Sequence, residues 1–565
     1  MFDIAHTQRG NTAQIDRAKD ANLSPAAKAL LKNKFLAPNE TYQDIFGRIA
    51  VHYADDSAHA QRLYNYMSDL WFMPSEAILQ NGGKADGLPV SCYQNEASDT
   101  LDDIVNLWNE NVWLTSLGGR VSSYWGNIRS AGEPTGAHAT ASGIMPFLRV
   151  VDSINNAVSG HAAHHNKTAI FLPVWHPEIE PFINTLETQT LKRCVLITNR
   201  FMDAVDYDEE WPLKSPKDGH VIHRINARYL WDQILQHRKK HGEPALLFID
   251  HVNDAIPEYH KMAGLNVKMA DIHMGITLPT GVDHLGNERT SVCPQSFVNL
   301  EKFETWQTDK FFIEDIMRFL DNVLSDFIKK APDKIHRAKY AAMRERSVGL
   351  GVTGFHGFLQ SKMIPLESAM TKIWNRRIFE HLKHAADTAS TRLAAEKGSC
   401  PDASDYGAKE RFSNKIMLSP SDTESVLCGN LGTSIAPCLS NITIYQTATD
   451  PIIVKNRYLE QTLIDQNKNT DDVWQSIQNN GGSVQHLDIL SDDKKEIFKI
   501  STEIEARWLI THAAERGEFI CQSQSLSLHV PNNITEDDFY NLHWDAWSGG
   551  LKSLDTLLLP SIANT

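Results

Sequence analysis

A histidine, His273, stands inside the stretch KMADIHMGITLPTG, residues 268–281, and is the side chain there with the most chemistry open to it. Imidazole transfers protons near neutral pH, forms hydrogen bonds and binds metals. Asp271 lies two residues before it and Gly275 two residues after it. Three more imidazoles occur in HAAHH, residues 161–165, at the i, i+3 and i+4 spacing of one helix face. We interpret that second set as solvated loop residues, because true ligand sets are much rarer.

The cysteines give a second set of reactive candidates. They are Cys92, Cys194, Cys293, Cys400, Cys428, Cys438 and Cys521. None belongs to a CxxC pair, the spacing typical of metal and dithiol motifs. This spread favours a reducing cytoplasm, where disulfides are rare.

Composition and charge favour a globular protein and argue against several functions. Apolar residues make up 42% and charged residues 22% of the 565 residues, a typical globular balance. The net charge of −15 argues against non-specific binding of nucleic acid, which needs a basic surface. No apolar run approaches the ~20 residues that span a bilayer, and the start, MFDIAHTQRG, lacks the apolar core of a signal peptide.

Apolar periodicity predicts mostly helices in the first hundred residues, including one over residues 58–72. Short apolar segments then alternate with helices; TAIFLPVW, CVLITN and ALLFIDHV are predicted strands, and residues 227–242 a predicted helix. This alternation predicts an α/β fold whose sheet is covered on both faces. The later chain is predicted to contain helices over 312–331, 367–396 and 499–521, a glycine-rich turn over 348–358, and a final helix and strand.

Six segments carry a resemblance to a known family. They are NLWNENVWLTSLGGRVSSYWGNIRSAGEP, IDHVN, ITLPTGVDHLGNERT, MRERSVGLGVTGFHGFL, SVQHLD and CQSQSLSLHVP. The chain resembles the large subunit of class I ribonucleotide reductases, especially the bacterial type, from about residue 24 to residue 560. The resemblance implies a ten-stranded α/β barrel of two five-stranded halves with a central finger loop. It implies a helical N-terminal region over residues 1–90, the barrel over residues 91–565, and no N-terminal ATP-cone.

The family makes deoxynucleotides with a thiyl radical, and its reactive residues are matched one by one. It uses two redox cysteines on barrel strands, which Cys92 and Cys293 match. Its finger loop carries a radical-forming cysteine and a glutamate base, where this chain has His273 and Gly275. Asp271 stands at an asparagine of the same motif. Imidazole has no S–H bond with which to exchange a hydrogen atom, and glycine cannot act as a general base.

The radical relay is also changed. The family conducts the radical from a small subunit through a tyrosine pair in Lys-Ser-Leu-Tyr-Tyr, and KSLDTLLL places Asp555 and Thr556 at the tyrosines. Neither side chain is oxidised at the potential that oxidises tyrosine. The cysteine-pair tail that re-reduces the family's site has no counterpart before Thr565. The radical-forming cysteine, the general base and the tyrosine relay are all replaced. The sequence therefore predicts that this chain has lost the family's reduction of ribonucleotides.

The substrate phosphate site is the third changed region. The family binds the diphosphate with hydroxyls and backbone N–H groups at helix starts. The matching positions in this chain are Glu76, Ser91, Ser421 and Thr423. Glu76 stands at a phosphate-binding threonine, and Asp422 and Glu424 stand where the family often has small residues. The carboxylates of Glu76, Asp422 and Glu424 would accept the N–H donors that a phosphate would use, and they would repel a diphosphate. The alternative interpretation is that these side chains only cap helices.

The effector site is better matched. In the family an aspartate after the first redox strand and an arginine in the next loop hold a deoxynucleotide, and Asp99 and Arg129 match them. The loop that relays the effector is residues 159–169, with His164 and His165 at its arginines. The resemblance therefore implies that a deoxynucleoside triphosphate or ATP binds as effector. It also implies that effector binding is no longer relayed to the substrate site. The alternative is a helix cap at Asp99 and a structural ion pair at Arg129.

The resemblance also brings His273 close to Cys92 and Cys293 at the barrel centre. Two thiolates and an imidazole form a set that zinc accepts, with water or Asp271 as fourth ligand. Zinc would lower the thiol pKa values, and a zinc-bound water could carry out hydrolysis. We disfavour zinc because ligands so distant in sequence are uncommon. The alternative is a hydrogen-bonded His273 beside cysteines that are free or joined in a disulfide.

Three functions remain open on the sequence alone. The favoured one is a catalytically silent large-subunit homologue with a nucleotide-binding, regulatory or scaffolding role, as a homodimer or paired with an active reductase large subunit. The second is a repurposed enzyme using His273 with Cys92 and Cys293 in metal or hydrolytic chemistry. The third is a functional reductase large subunit in deoxynucleotide synthesis. Contact with a radical-generating small subunit is disfavoured, no nucleic acid or membrane partner is expected, and no cofactor is established.

Overall fold

The structure is a computed structural model that describes residues 3–6, 10–136, 138–158, 167–184, 188, 190–445, 451–531 and 533–558. The strands of these residues are β1 (Asp3–His6), β2 (Thr12–Ile15), β3 (Phe72–Pro74), β4 (Cys92–Glu96), β5 (Arg120–Tyr124), β6 (Thr168–Pro173), β7 (Leu191–Ile197), β8 (Glu210–Lys214), β9 (Val221–Asn226), β10 (Ala245–Phe248), β11 (Gly281–Val282), β12 (Glu288–Arg289), β13 (Ser291–Val292), β14 (Gln295–Asn299), β15 (Gly349–Thr353), β16 (Ile442–Tyr445), β17 (Ile452–Lys455) and β18 (Ser553–Leu554).

The helices of the same residues are α1 (Pro25–Lys34), α2 (Tyr42–Tyr53), α3 (Ser57–Ser68), α4 (Glu76–Asn81), α5 (Leu101–Ser116), α6 (Met145–Val158), α7 (Ile179–Asn184), α8 (Asn199–Asp206), α9 (Ala227–His241), α10 (Ile249–Asp254), α11 (Glu258–Met262), α12 (Phe303–Trp306), α13 (Phe312–Lys330), α14 (His336–Glu345), α15 (Phe355–Ser361), α16 (Ala369–Lys397), α17 (Pro401–Ser404), α18 (Asp422–Cys428), α19 (Arg457–Asp465), α20 (Asp471–Asn479), α21 (Asp492–Ile497), α22 (Ala506–Gly517) and α23 (Glu536–Ser548). Short 3-10 helices lie at Arg17–Asn22, Leu300–Lys302, Asp333–Ile335 and Ser501–Glu503. None of the described helices is both long and apolar enough to cross a membrane.

Helices α1–α4 form the N-terminal region, and polar side chains mark where two of them begin. Ser24 caps α1 by accepting the Ala27 N–H at 3.1 Å, and Asp56 caps α3 by accepting the His59 N–H at 2.8 Å. The apolar faces of α2 and α3 pack into the main buried cluster. The region is joined to the barrel by β3, which pairs antiparallel with β14.

Five parallel strands form the first half of the barrel, in the order β4-β5-β6-β7-β10. Every residue of β6, β7 and β10 is buried, as strands covered on both faces should be. β13 lies antiparallel beside β4 at one edge, and β18 lies antiparallel beside β10 at the other. The predicted α/β class is confirmed by this sheet.

The second half is built around the parallel pair β14 and β15. Single bridges continue the parallel pairing from β15 to Ile416 and from Leu418 to Gln524. The segment after β18 contacts this half, because the Asp555 N–H donates to Leu526 O at 3.0 Å. The halves therefore meet at β18 on one side and at β13 and β14 on the other, in agreement with the predicted barrel.

A loop, residues 268–280, passes between the two halves. Its main chain is held from both sides, since the Gln94 amide of β4 donates to Ile276 O at 2.9 Å and the Ser523 N–H donates to Gly275 O at 3.0 Å. Met274 has a φ of 62°, which turns the loop back on itself, and its side chain is buried. This loop occupies the place predicted for the finger loop.

The glycine-rich segment predicted as a turn is instead strand β15 followed by helix α15, so that prediction is wrong. Two of its glycines are required by close packing across the sheet. A Cβ on Gly349 would lie 2.9 Å from Met417 Cγ, and a Cβ on Gly351 would lie 2.7 Å from Phe297 Cδ1. The glycines therefore serve strand packing, and Gly354, with a φ of 77°, makes the turn into α15.

Several predicted boundaries also shift. The helix predicted over 58–72 ends at Ser68, and the strand predicted over 245–252 ends at Phe248, where α10 begins. The helix predicted over 499–521 is a 3-10 turn followed by the shorter α22. The HAAHH sequence, the relay-loop residues 159–166 and the end of the chain after residue 558 lie outside the described residues.

Candidate functional site

The finger loop is folded around the carboxylate of Asp271. This side chain is 3% exposed; its Oδ1 accepts the N–H groups of Gly275 at 2.7 Å and Ile276 at 2.8 Å, and its Oδ2 accepts that of His273 at 3.3 Å. Burial raises the pKa of Asp271, and the three N–H donors oppose that rise. Asp271 therefore fixes the loop conformation that presents His273.

The half-buried His273 of the finger loop lies beside Arg120, with 3.3 Å between Nη1 of the arginine and Nε2 of the imidazole. A guanidinium group only donates hydrogen bonds, so Nε2 accepts and the ring proton is on Nδ1. Burial lowers the pKa of His273 to about 4, and the nearby Lys192 and Arg120 act in the same direction. The imidazole is therefore neutral at physiological pH.

Asp555, at the position of the predicted relay, is 4% exposed and forms an ion pair with Lys192. The Lys192 ammonium also donates to Ile272 O of the finger loop at 2.6 Å. Burial alone would raise the pKa of Asp555, but Lys192 holds it below its usual value. Thr556 follows, and its N–H donates to Asp555 Oδ1 at 2.6 Å. The relay position thus contains a carboxylate that helps to fix the finger loop.

Cys92 begins β4, Cys293 directly follows β13, and both are free thiols. Val292 of β13 lies opposite Tyr93 of β4, so the same register continued by one residue places Cys293 opposite Cys92. Burial raises the pKa of Cys92 to about 12 and the pKa of Cys293 well above its usual value. Ser91, a predicted phosphate position, is hydrogen-bonded to Cys92. The structure therefore brings the predicted redox pair together as protonated thiols.

A zinc site would need both thiols and one nitrogen of His273 to converge on one point. Across the described ranges, which include Cys92, Cys293 and His273, no group of three or more His, Cys, Asp or Glu side chains is arranged to hold a metal ion. The Nε2 atom of His273 faces Arg120 instead. This geometry gives the zinc hypothesis no support.

The other predicted phosphate positions divide into two groups. Glu76 begins α4, and Thr423 lies in α18. The Thr423 hydroxyl donates to Glu76 Oε2 at 3.5 Å, and Lys34 forms an ion pair with Glu76 at 2.5 Å. Ser421 is completely buried, and its hydroxyl accepts the Ser434 N–H at 2.9 Å. Glu76 and Thr423 are therefore adjacent, whereas the Ser421 hydroxyl is used within its own loop.

Glu424 bridges the starts of two helices. Its carboxylate is 5% exposed and accepts its own N–H in α18 and the N–H of Glu76 in α4. Burial raises the pKa of Glu424 to about 8, and the nearby Glu76 and Asp422 add to the rise. A side chain of the protein therefore already uses N–H groups at the place where the resemblance puts the substrate phosphates.

Asp99 and Arg129, the predicted effector pair, are in direct contact. Arg129 Nε donates to Asp99 Oδ2 at 2.6 Å, and the Arg129 N–H donates to Asp99 Oδ1 at 3.1 Å. Both residues line a cavity of about 420 Å³ beside α5 and α6. Thr100, rather than Asp99, caps α5 by accepting the Asp103 N–H at 3.1 Å. The predicted pair thus lies at a cavity of the size that small ligands occupy.

Sequence reasoning missed Arg120 and Lys192, two cations that contact the finger loop. Arg120 begins β5, and Lys192 is the second residue of β7. The available signal was the pair of cations, Lys192 and Arg193, directly before the apolar run CVLITN, since a long cation in a buried strand needs a partner. Only the folded barrel supplies that partner for Lys192.

Comparison with known proteins defines the family. The profile described as "Ribonucleotide reductase, barrel domain" matches residues 90–409 and 402–557, and "Ribonucleotide reductase, all-alpha domain" matches residues 22–87. The chain therefore belongs to the ribonucleotide reductase large-subunit family.

Individual relatives agree with the profiles. A Frog virus 3 (isolate Goorha) protein named as a ribonucleoside-diphosphate reductase large subunit is 34% identical over 524 residues, with 90% of each chain covered. The ribonucleoside-diphosphate reductase large subunit of Invertebrate iridescent virus 3 is 30% identical over 607 residues, covering 96% of this chain and 94% of that protein. The class Id ribonucleotide reductase alpha subunit of Actinobacillus ureae is similar in structure, with a TM-score of 0.84 at 27% identity, covering 96% of this chain and 98% of that one.

Proposed function

We propose that this chain is a ribonucleotide reductase large-subunit homologue without thiyl-radical chemistry, which binds a nucleotide and acts as a regulatory or scaffolding subunit. The observation that carries the proposal is the neutral imidazole of His273, on the loop and at the place where the resemblance puts the radical cysteine. An imidazole offers proton transfer and hydrogen bonding, not hydrogen-atom transfer. Gly275, at the family's base position, has no side chain that could accept a proton.

The relay position supports the same proposal. A radical relay needs a side chain that is oxidised and reduced reversibly, whereas Asp555 is bound in a buried ion pair with Lys192. Because Lys192 also holds Ile272 O, this pair contributes to the fixed shape of the finger loop. We infer that the pair has replaced electron transfer with a structural role.

The phosphate region supports it as well. A diphosphate bound there would meet the carboxylate of Glu76, and the carboxyl of Glu424 already accepts N–H groups from two helix starts. The cost of bringing more negative charge into this buried place would be high. We therefore propose that nucleoside diphosphates bind weakly to the barrel of this chain.

Nucleotide binding is instead proposed at the cavity beside Asp99 and Arg129. The Arg129 guanidinium is oriented by Asp99 and by Pro134 O, at 2.5 Å, in a wall of the cavity. An oriented guanidinium is well suited to a phosphate or to a ribose hydroxyl. A deoxynucleoside triphosphate or ATP is the ligand we propose.

The proposed partner is a second large subunit, either another copy of this chain or an active reductase. Its docking surface is the exposed apolar face of α5 and α6, where Leu101 is 65% exposed, Val105 47% and Val150 36%. Clustered exposed apolar side chains on adjacent helices favour a protein interface. The face adjoins the cavity at Asp99 and Arg129, because Leu101 also lines that cavity.

The second candidate is a functional reductase large subunit. The names of the viral relatives favour it, and so does the retained cysteine pair of Cys92 and Cys293. One experiment separates the two candidates: incubation with a radical-generating small subunit, a dithiol reductant and ribonucleoside diphosphates. The first candidate gives no deoxynucleotide, and the second gives it in proportion to enzyme.

A further inference from the structure

A cavity of about 440 Å³ lies between α22, the loop after α18 and the segment that follows Gln524. Its walls are largely apolar and include Leu366, Ile435, Leu509 and Leu526. The volume falls in the range of small-molecule sites. The cavity adjoins the barrel interior, because Ser525 lines it and donates a hydrogen bond to Asp555 Oδ2 at 3.2 Å. It shares no lining residue with the cavity beside Asp99 and Arg129.

One wall of this cavity contains a buried cation. Arg516 of α22 is 2% exposed; its Nε donates to Gln524 Oε1 at 2.6 Å and its Nη1 to Asn375 Oδ1 at 3.1 Å. Within the described part of the chain, Nη2 has no hydrogen-bond partner and the guanidinium makes no ion pair with a carboxylate. Burial lowers the pKa of Arg516 to about 9, so the group is still cationic at neutral pH.

The carboxylate nearest in sequence does not neutralise this charge. Glu515 pairs with Lys372 at 3.0 Å and lies 3.8 Å from His512 Nδ1, and it makes no ion pair with the Arg516 guanidinium. His512, which also lines the cavity, donates from Nε2 to Leu366 O at 2.9 Å, and burial lowers its pKa, so it is neutral. The other partners of the guanidinium are neutral: two amide oxygens and the rings of Phe355 and Phe379, at 5.9 and 5.7 Å from Cζ. An anion in the cavity would supply the counter-charge that this buried cation lacks.

A second polar group is also without a partner. Ser434 is 4% exposed, and its hydroxyl has no hydrogen bond among the described residues, although its N–H donates to Ser421 Oγ. Its φ of 47° is a strained backbone conformation for serine. Ser434 lines the same cavity as Arg516. Leu439, 65% exposed, lies at the rim and offers an apolar entrance.

We propose that this cavity binds a small organic acid, with the anionic group held by Arg516 and Ser434 and an apolar body packed against Leu509 and Leu526. The site shares no lining residue with the proposed nucleotide site, whereas Asp422 and Ser525 in its wall connect it to the phosphate region and to Asp555. The charge on Arg516 selects the acid over the matching alcohol, and the apolar walls select a longer body over acetate.

Calorimetric titration of the full chain with octanoate, 1-octanol and acetate tests the proposal. Octanoate is expected to bind once per chain, and 1-octanol and acetate each about tenfold more weakly or worse, since a charged hydrogen bond or a buried alkyl chain is worth at least that factor. Octanoate affinity no higher than that of 1-octanol, or binding without a fixed stoichiometry, overturns the proposal.

Two variants locate the binding. Arg516→Gln should weaken octanoate about tenfold and leave 1-octanol unchanged. Arg516 also holds Asn375 and Gln524, so Arg516→Gln could disturb the fold, and a second variant leaves Arg516 in place. Ala436 is half-buried in the cavity wall, and Ala436→Trp should fill the cavity and abolish the binding of both octanoate and 1-octanol. Ala436→Ser is the size-matched control and should bind normally. Octanoate binding at wild-type affinity to folded Ala436→Trp places the ligand elsewhere and overturns the assignment.

Discussion

The ammonium group of Lys192 is paired with the carboxylate of Asp555 inside the barrel, and the same ammonium donates to Ile272 O at 2.6 Å. Both side chains are buried, at 9% and 6% exposure. The pair therefore joins β7, the segment after β18 and the finger loop at one point. Asp555 lies where the resemblance expects a redox tyrosine, and this contact is one support for the proposed change of function.

Removal of one partner of this pair should destabilise the protein strongly. Asp555→Ala leaves the Lys192 ammonium buried without a counter-ion, at a cost of about 3–5 kcal/mol. The double variant Lys192→Met with Asp555→Leu should recover much of the loss, because it removes both charges. The free energy of unfolding in urea measures these effects. Glu209→Ala, in the exposed pair with Arg200, is the control and should cost less than about 1 kcal/mol. Equal costs for the buried and the exposed pair would contradict the structural role.

Much of the fold could be predicted from the sequence, because apolar strands and amphipathic helices are local patterns. Lys192 and Asp555, by contrast, are 363 residues apart, and Arg120 and His273 are 153 apart. No local pattern pairs residues at such distances, so the cations around the finger loop were missed. The glycine-rich strand β15 was mistaken for a turn, because the reason for its glycines lies in side chains of other segments.

Nucleotide binding at Asp99 and Arg129 should raise thermal stability. A ligand at a hundredfold excess over its dissociation constant adds about 2.7 kcal/mol to the free energy of unfolding. Arg129→Gln should abolish the shift produced by a deoxynucleoside triphosphate or ATP, whereas Arg200→Gln, on the exposed surface, should keep it. A thermal denaturation series with each nucleotide is the measurement. The absence of any shift in the wild-type protein would remove nucleotide binding from the proposal.

The buried carboxyl of Glu424 should make stability depend on pH. Its pKa is raised to about 8 in the folded protein, whereas in the unfolded chain it is about 4.3. Between these values the unfolded state gains by releasing the proton, so stability falls as pH rises through this window. Glutamine does not titrate, so the Glu424→Gln variant does not show this fall in stability. Its unfolding free energy relative to wild type should therefore increase from about pH 5 to about pH 8, on the order of 1 kcal/mol per unit of pKa shift. A difference that is constant over this range would show that Glu424 is ionised in the folded state.

The apolar face of α5 and α6 should control association. Val105→Asp places a charge in the proposed interface and should lower the molar mass measured by light scattering toward that of one chain. Leu285→Asp, at a position 55% exposed but distant in sequence from α5 and α6, is the matched control and should not change the mass. An unchanged mass in Val105→Asp, where the wild-type protein is a dimer, would place the interface elsewhere.

The proposed loss of radical chemistry is tested most directly by product analysis. The purified protein is incubated with a competent small subunit, a dithiol reductant and the four ribonucleoside diphosphates, and deoxynucleotides are quantified by mass spectrometry against a reductase large subunit known to be active. We expect no product above the no-enzyme control, and none from His273→Cys, because the residues at the base and relay positions, Gly275, Asp555 and Thr556, are unchanged in that variant. Deoxynucleotide formed by the wild-type protein in proportion to its concentration would contradict the account and establish a functional reductase.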